Sequence, residues 1–187
     1  MSTIDLTNAL NTLKNQGVIA YPTESVFGLG CDPDSPIAIN KVLQLKNRSP
    51  NKGLILIAAN IKQLQNYGDF SALSNQQLAI IKKTWPGPFT WVIPAKKDIS
   101  KLITGDFNSV AVRVSAHPIV QQLCQQFNKP IISTSANLSG LSPCTTSQQI
   151  YEMFTNHPLL ENIIDAPVSG LAAPSQIFDA LSGKRLR

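Results

Sequence analysis

The sequence predicts an α/β domain built around a twisted, mixed sheet, and three observations carry the prediction. Short apolar, β-favouring runs alternate with amphipathic stretches at helical spacing. Several of those runs end in polar residues, where α/β proteins tend to carry their sites. No repeat, low-complexity tract or Gly/Ser linker divides the 187 residues, so a single domain over 1–187 is expected.

The elements follow in order. Ile4, Leu6, Ala9, Leu10 and Leu13 before Gly17 have the spacing of an amphipathic helix closed by a glycine. Val18–Tyr21 is a strand stopped by Pro22, and it delivers Thr23-Glu24-Ser25 to the strand end. Ser35 as N-cap and Pro36 at the first position start a helix whose stripe is Ile37, Ile39, Val42, Leu43 and Leu45. That helix ends on Lys46-Asn47-Arg48. Leu54–Ala59 is a buried strand. Helices are expected around Ile61–Tyr67 and from the Ser74 cap through Ile81 to Trp85, where Pro86-Gly87-Pro88 stops the second. Strands at Thr90–Ile93 and Val110–Val114, a helix near His117–Phe127 and a strand at Ile131–Thr134 come next. A helix over Ser147–Phe154 and short strands at Ile163-Ile164 and Ile177-Phe178 complete the list.

Composition bounds the function. With 43% apolar and 14% charged residues the chain can bury a core without a staple, and disorder is excluded as its main state. The apolar run Leu54–Ala59 is far shorter than the ~20 residues that span a bilayer, and Met1-Ser2-Thr3-Ile4-Asp5 carries no basic apolar leader. A soluble cytoplasmic protein with no membrane partner is expected. Cys31, Cys124 and Cys144 are odd in number and widely spaced, which fits reduced thiols better than disulfides or a cysteine metal site. The net charge of +5 is spread along the chain and permits contact with RNA, nucleotides or other phosphates.

Standard nucleotide signatures are missing. Gly28-Leu29-Gly30-Cys31-Asp32-Pro33 lacks the third glycine of a dinucleotide loop, and no phosphate-binding P-loop run occurs. His117 and His157 are too few and too far apart for a histidine metal site, and His117 reads as a structural or solvated residue at a helix start. Four polar clusters at element ends carry the chemistry instead. Lys46 and Arg48, two apart in extended chain past a helix end, would point the same way and clamp a polyphosphate; complementing the helix dipole is the other reading. Ser133-Thr134-Ser135-Ala136-Asn137 offers hydroxyls and an amide to phosphate or ribose, or forms an ordinary turn. Arg113 lies opposite Val112 and Val114 in its strand and wants a carboxylate or phosphate, either a ligand's or a structural partner's. Glu24 is a candidate for catalysis or metal binding and equally for a carboxylate at a helix start. Trp85, Phe89 and Trp91 read as core.

In that order, Tyr21-Pro22-Thr23-Glu24-Ser25-Val26-Phe27-Gly28-Leu29-Gly30, Lys46-x-Arg48, Trp85-Pro86-Gly87-Pro88-Phe89-Thr90, Ala111-Val112-Arg113-Val114 and Ser133-Thr134-Ser135-Ala136-Asn137-Leu138-Ser139-Gly140 resemble the TsaC/YrdC family of threonylcarbamoyl-AMP synthases. The late Pro174-Ser175-Gln176-Ile177 element is also similar, and the likeness is greatest to the short bacterial branch without an extra C-terminal domain. The resemblance implies an open twisted sheet flanked by helices, with a basic concave cavity. It implies an enzyme that joins L-threonine, bicarbonate or CO2, and ATP into L-threonylcarbamoyladenylate with release of pyrophosphate. A separate transferase complex would then carry the group to the adenosine beside the anticodon of tRNAs reading ANN codons. By motif position Lys46, Arg48, Ser109, Ser135 and Asn137 would hold ATP, with Lys46 and Arg48 catalytic. Thr23, Arg113, Ser133 and Ser175 would hold threonine, Arg113 through its carboxylate. Mg2+ would arrive with ATP, and no protein-held metal is expected.

Two departures stand out. The common Lys-x-Arg-Pro order is here Lys46-Asn47-Arg48-Ser49-Pro50, and Lys52-Gly53-Leu54 stands where many relatives have Asn-Pro-Leu. They leave open the loop's path over the phosphates and whether Lys52 adds a third cation. Rival readings are a non-catalytic module for double-stranded or ribosomal RNA, and a carbamoyl-transfer domain like that of hydrogenase maturation proteins. Direct tRNA contact through the positive surface is compatible with either the synthase or the RNA-binding reading.

Overall fold

The computed structural model describes residues 4–171 and 173–187; residues 1–3, on which the reading of the chain start partly rests, lie outside the described residues. Helix α1 (Thr7–Lys14) starts where Asp5 Oδ1 accepts the Thr7 N–H at 2.9 Å, and its exit turn puts Gln16, rather than Gly17, in the left-handed region. Strands β1 (Ile19–Pro22) and β2 (Phe27–Gly30) form a hairpin around Thr23–Val26. In α2 (Pro36–Leu45) Ser35 accepts the Ala38 N–H as its N-cap. Next come β3 (Ile55–Ala58), the short α3 (Ile61–Leu64) and α4 (Asn75–Thr84), the last opened by a reciprocal Ser74–Gln77 capping box. The rest of the chain supplies β4 (Phe89–Pro94), α5 (Lys101–Thr104), β5 (Ser109–Val114), α6 (Pro118–Phe127), β6 (Ile131–Ser135), α7 (Ser147–Met153), β7 (Asn162–Ile163) and β8 (Gln176–Asp179).

The eight strands form one mixed sheet in the order β7-β1-β2-β6-β3-β5-β4-β8. Pairings β1–β7, β3–β5 and β4–β8 are parallel, and the other four are antiparallel. One face is panelled throughout: Leu29, Leu56, Val112, Ile132 and Ile93 pack under Ile39, Val42, Ile81 and Ile150 of α2, α4 and α7. On the other face α1 and α6 pack with Ile19, Tyr21, Ile57 and Ile131. A strand's side chains alternate between faces, so each strand contributes to both layers.

Two elements escape the sequence reading. Helix α5 is a single turn, too short to show a period. Strand β2 hides because its Phe-Gly-Leu-Gly sequence resembles a loop. Its glycines mark close approach: a Cβ on Gly30 would lie 2.6 Å from the Ile132 carbonyl oxygen and 2.8 Å from Tyr21 Cε1, and one on Gly28 would lie 2.9 Å from Tyr21 Cζ. The Tyr21 ring occupies the space that side chains on β2 would need.

Gly30→Ala should therefore cost roughly 1–3 kcal/mol, because a backbone oxygen cannot yield as a side-chain tip can. Urea titration should show a lower midpoint with an unchanged slope.

Candidate active site

The uncovered part of the face that carries α1 and α6 is a cavity of about 530 Å3. Alternation builds its floor: Ser109, Ala111 and Arg113 of β5, Ser133 and Ser135 of β6, Thr90 and Val92 of β4 line it. Val110, Val112, Val114, Ile132, Trp91 and Ile93, the intervening residues, belong to the opposite core. Polar residues on these strands therefore reach the cavity without sacrificing the packing behind them.

Arg113 is buried, as is its partner. Its Nη2 forms an ion pair with Glu24 Oε2, and its Nε donates to the Gly87 carbonyl at 3.1 Å. Glu24 Oε1 accepts the Ser115 hydroxyl at 3.0 Å and the Ala116 N–H at 2.9 Å, just before α6. Glu24 is thus the structural counter-charge that holds Arg113 at the cavity wall, and the guanidinium keeps further N–H donors for a ligand. The turn after Trp85 supplies the carbonyl that aims it.

Lys46 and Arg48 are not presented as an extended pair. Arg48 N–H bonds the Leu43 carbonyl at 2.9 Å and Asn47 N–H the Gln44 carbonyl at 3.0 Å, a Schellman turn with Asn47 left-handed at φ 49°. The turn splits the two cations. Lys46 Nζ donates to Ser135 O (2.5 Å), Asn137 O (2.9 Å) and Asn137 Oδ1 (3.0 Å), and Lys46 is not among the cavity-lining residues. Burial, then the neighbouring Arg48 charge, pushes its pKa down to about 8. Arg48 lines the cavity; its Nη2 donates to Gly53 O at 2.9 Å, and its buried Nε has no partner among the described residues. Burial and the Arg187 guanidinium hold Arg48 below its ordinary pKa. The loop carrying Lys52 and Gly53 is seated against α5, where a Cβ on Gly105 would lie 2.3 Å from Asn51 O. That seat brings Lys52 to the cavity as well.

The other expected residues divide in the same way. Thr23, Ser109, Ser133, Ser135 and Ser175 line the cavity, whereas the half-exposed Asn137 is not among the lining residues and accepts from Ser135 Oγ at 2.6 Å. Ser133 Oγ accepts the Tyr21 hydroxyl at 2.7 Å, Ser175 Oγ accepts the Thr90 hydroxyl at 3.2 Å, and Thr23 Oγ1 donates to Val26 O at 2.7 Å. Sequence reasoning missed Arg187, which lines the cavity and donates to Ser175 O at 3.1 Å. Its only sequence signal was the Ser182-Gly183 turn that folds the last residues back along β8.

Arg48, Lys52, Arg113 and Arg187 face one acid, Asp179, among the cavity-lining residues. Glu24 offsets Arg113, and none of the other three has a carboxylate within salt-bridge distance among the described residues. Such a site attracts an anion. Among the described residues no three His, Cys, Asp or Glu side chains cluster as metal ligands. His117 is structural: its Nδ1 accepts the Ile119 N–H as the α6 cap, its Nε2 contacts Pro167 O, and burial lowers its pKa. Cys31, Cys124 and Cys144 are free and buried, with thiol pKa values pushed up by burial, so none is an activated nucleophile. Trp91 lies in the core against Phe178, with ring centroids 5.2 Å apart.

The family model Sua5_yciO_yrdC, described as telomere recombination, matches residues 11–187. A Psychromonas ingrahamii protein named threonylcarbamoyl-AMP synthase is 65% identical over 98% of this chain and 96% of its own length. A Serratia proteamaculans protein of the same name is 54% identical over 100% of this chain and 97% of its own. The crystal structure of P. abyssi Sua5 complexed with L-threonine is 30% identical, with a TM-score of 0.84 over 91% of this chain and 49% of that one. The chain thus spans about half the length of that structure and nearly all of the two curated relatives.

Removing either member of the Glu24–Arg113 pair should cost about 3–5 kcal/mol, because the other is left buried and uncompensated. Glu24→Gln/Arg113→Met should lose less than the two single changes together, and a denaturant double-mutant cycle checks this. Lys46 gives a pH signature. Its folded pKa lies below the ordinary lysine value, so between about 8 and 10.5 the unfolded chain binds the extra proton and stability rises with pH. The stability difference between wild type and Lys46→Met should grow in favour of wild type across that window; urea titrations at pH 7 and 10.5 measure it.

Proposed function

The chain belongs to the Sua5/YciO/YrdC family, and from that premise we propose that it is a threonylcarbamoyl-AMP synthase. The carrying observation is one cavity that combines uncompensated cations with strand-borne hydroxyls, in a chain 65% identical along nearly its whole length to a relative of that name. Bicarbonate and the threonine amine give a carbamate and water. A carbamate oxygen then attacks the α-phosphorus of ATP, the new O–P bond forms as the bond to the bridging oxygen breaks, and pyrophosphate leaves with that electron pair. A carbamate needs no general base to become nucleophilic. The protein's tasks are in-line positioning and stabilisation of phosphate charge.

Arg48 takes the departing phosphates through the donors it does not spend on Gly53, with Lys52 and Arg187 adding charge at the same wall. Lys46 contributes by pinning the Ser135–Asn137 turn that, with Ser109, receives the nucleotide. Threonine binds at Thr23, Arg113, Ser133 and Ser175, its carboxylate on Arg113. The cavity lining is rich in cations and hydroxyls with a single carboxylate, a poor donor set for a hard divalent cation. Mg2+ therefore travels with the triphosphate as part of the substrate. The adenylate passes to a separate transferase acting on tRNA in the cytoplasm; no described helix is long and apolar enough to cross a membrane. The non-catalytic RNA-binding reading is not favoured, because full-length relatives carry the synthase name.

Purified protein given MgATP and bicarbonate should release pyrophosphate only when L-threonine is present, and serine should be a poor replacement. Threonine-independent release, or none at all, contradicts the proposal. Arg113→Ala, checked for retained fold by circular dichroism, should raise the threonine KM at least tenfold more than the ATP KM, on the order of one charged hydrogen bond. Equal effects on the two would remove Arg113 from the carboxylate.

A further inference from the structure

Tyr21 is fully buried, and among the described residues its hydroxyl has one partner, Ser133 Oγ at 2.7 Å. Burial fixes the direction of that bond. If Ser133 were the donor, the phenolic proton would be left unpaired in the interior, a loss of roughly 1–3 kcal/mol. Tyr21 therefore donates and occupies one of the Ser133 lone pairs, which leaves the Ser133 proton free to turn into the cavity that Ser133 lines. The phenol is held in its proton-bearing form by burial, which raises its pKa.

The hairpin is built to hold this ring. Gly28 and Gly30 each lack the Cβ that would come within 3 Å of it. Strand β6, paired to β2 on one side and β3 on the other, fixes the Ser133 backbone. We propose that Tyr21 is a positioning residue that sets Ser133 as a hydrogen-bond donor toward an acceptor oxygen of the bound amino acid, and thereby tightens recognition of threonine without touching it. This rests on the assignment of Ser133 to the threonine side of the site.

Calorimetric titration of L-threonine and, separately, of ATP into the full chain tests it. Tyr21→Phe should weaken threonine binding about three- to tenfold, the worth of one neutral hydrogen bond, and leave ATP binding unchanged. Ser133→Ala should weaken threonine binding by at least as much, and Tyr21→Phe/Ser133→Ala no further than Ser133→Ala alone. Thermal melts give an independent reading: Ser133→Ala strands the buried phenol, so adding Tyr21→Phe should restore part of the lost Tm, which a purely packing role for the ring would not do. Wild-type threonine affinity in Tyr21→Phe, additive losses in the double variant, or a further fall in Tm would each overturn the inference while leaving the synthase reading in place. A wild-type protein that binds no L-threonine would overturn both.

Discussion

Strand β6 lies against β2 where Gly30 presents no side chain to the Ile132 carbonyl, and Gly28 and Gly30 together leave room for the Tyr21 ring. The site depends on that approach. Through it β6 is paired on both edges, so Ser133 and Ser135 project from a strand held by hydrogen bonds to β2 and β3 rather than from a mobile loop. The chain beyond β6 is then close enough to α2 for Lys46 to bind Ser135 and Asn137. A side chain on Gly30 would disturb the sheet, the Tyr21–Ser133 contact and the Lys46 anchor together.

Charge is distributed in two ways inside the same cavity wall. Arg113 is desolvated and balanced by Glu24, which with the Gly87 carbonyl fixes the direction of its guanidinium. Among the described residues Arg48, Lys52 and Arg187 lack a carboxylate partner, and burial, with the Arg187 guanidinium beside Arg48 and the Arg113 guanidinium beside Arg187, depresses the pKa values of the two arginines. An anion seated among these groups would relieve their repulsion. The partnerless buried Nε of Arg48 belongs to the same account, since an unpaired donor in the interior is tolerated where a ligand satisfies it.

The Schellman turn after α2 connects helix geometry to this electrostatics. Asn47 accepts the left-handed conformation more readily than most residues, and the reversal sends Lys46 toward β6 and Arg48 toward Gly53. The displaced proline follows from it: Pro50 opens a 3-10 turn whose N-cap is Ser49, and that turn carries the chain into the Gly53 seat against α5. The departures from the usual motif order thus have a local structural role, and Lys52 does reach the cavity.

The helices of more than one turn and the strands with apolar period were legible because their signals are local. Ser35, Ser74 and the alternating Val110–Val114 run act within a few residues of themselves. The order of the motif residues was enough to show the resemblance, and the parity of Arg113 against Val112 and Val114 put it on the cavity face. Strand β2 and Arg187 were not legible. A strand of alternating glycines makes sense only beside the ring it accommodates, and a cation in the last residues has no direction until β8 gives it a neighbour. Nor could spacing tell that Lys46 turns to Ser135 and Asn137 while Arg48 lines the cavity, or that Glu24 is spent on Arg113. Lys46 finds its partners 89 and 91 residues away, and Glu24 meets Ser115 across 91. A buried charge goes wherever desolvation can be repaid, and only the closed sheet decides which distant atoms are there to repay it.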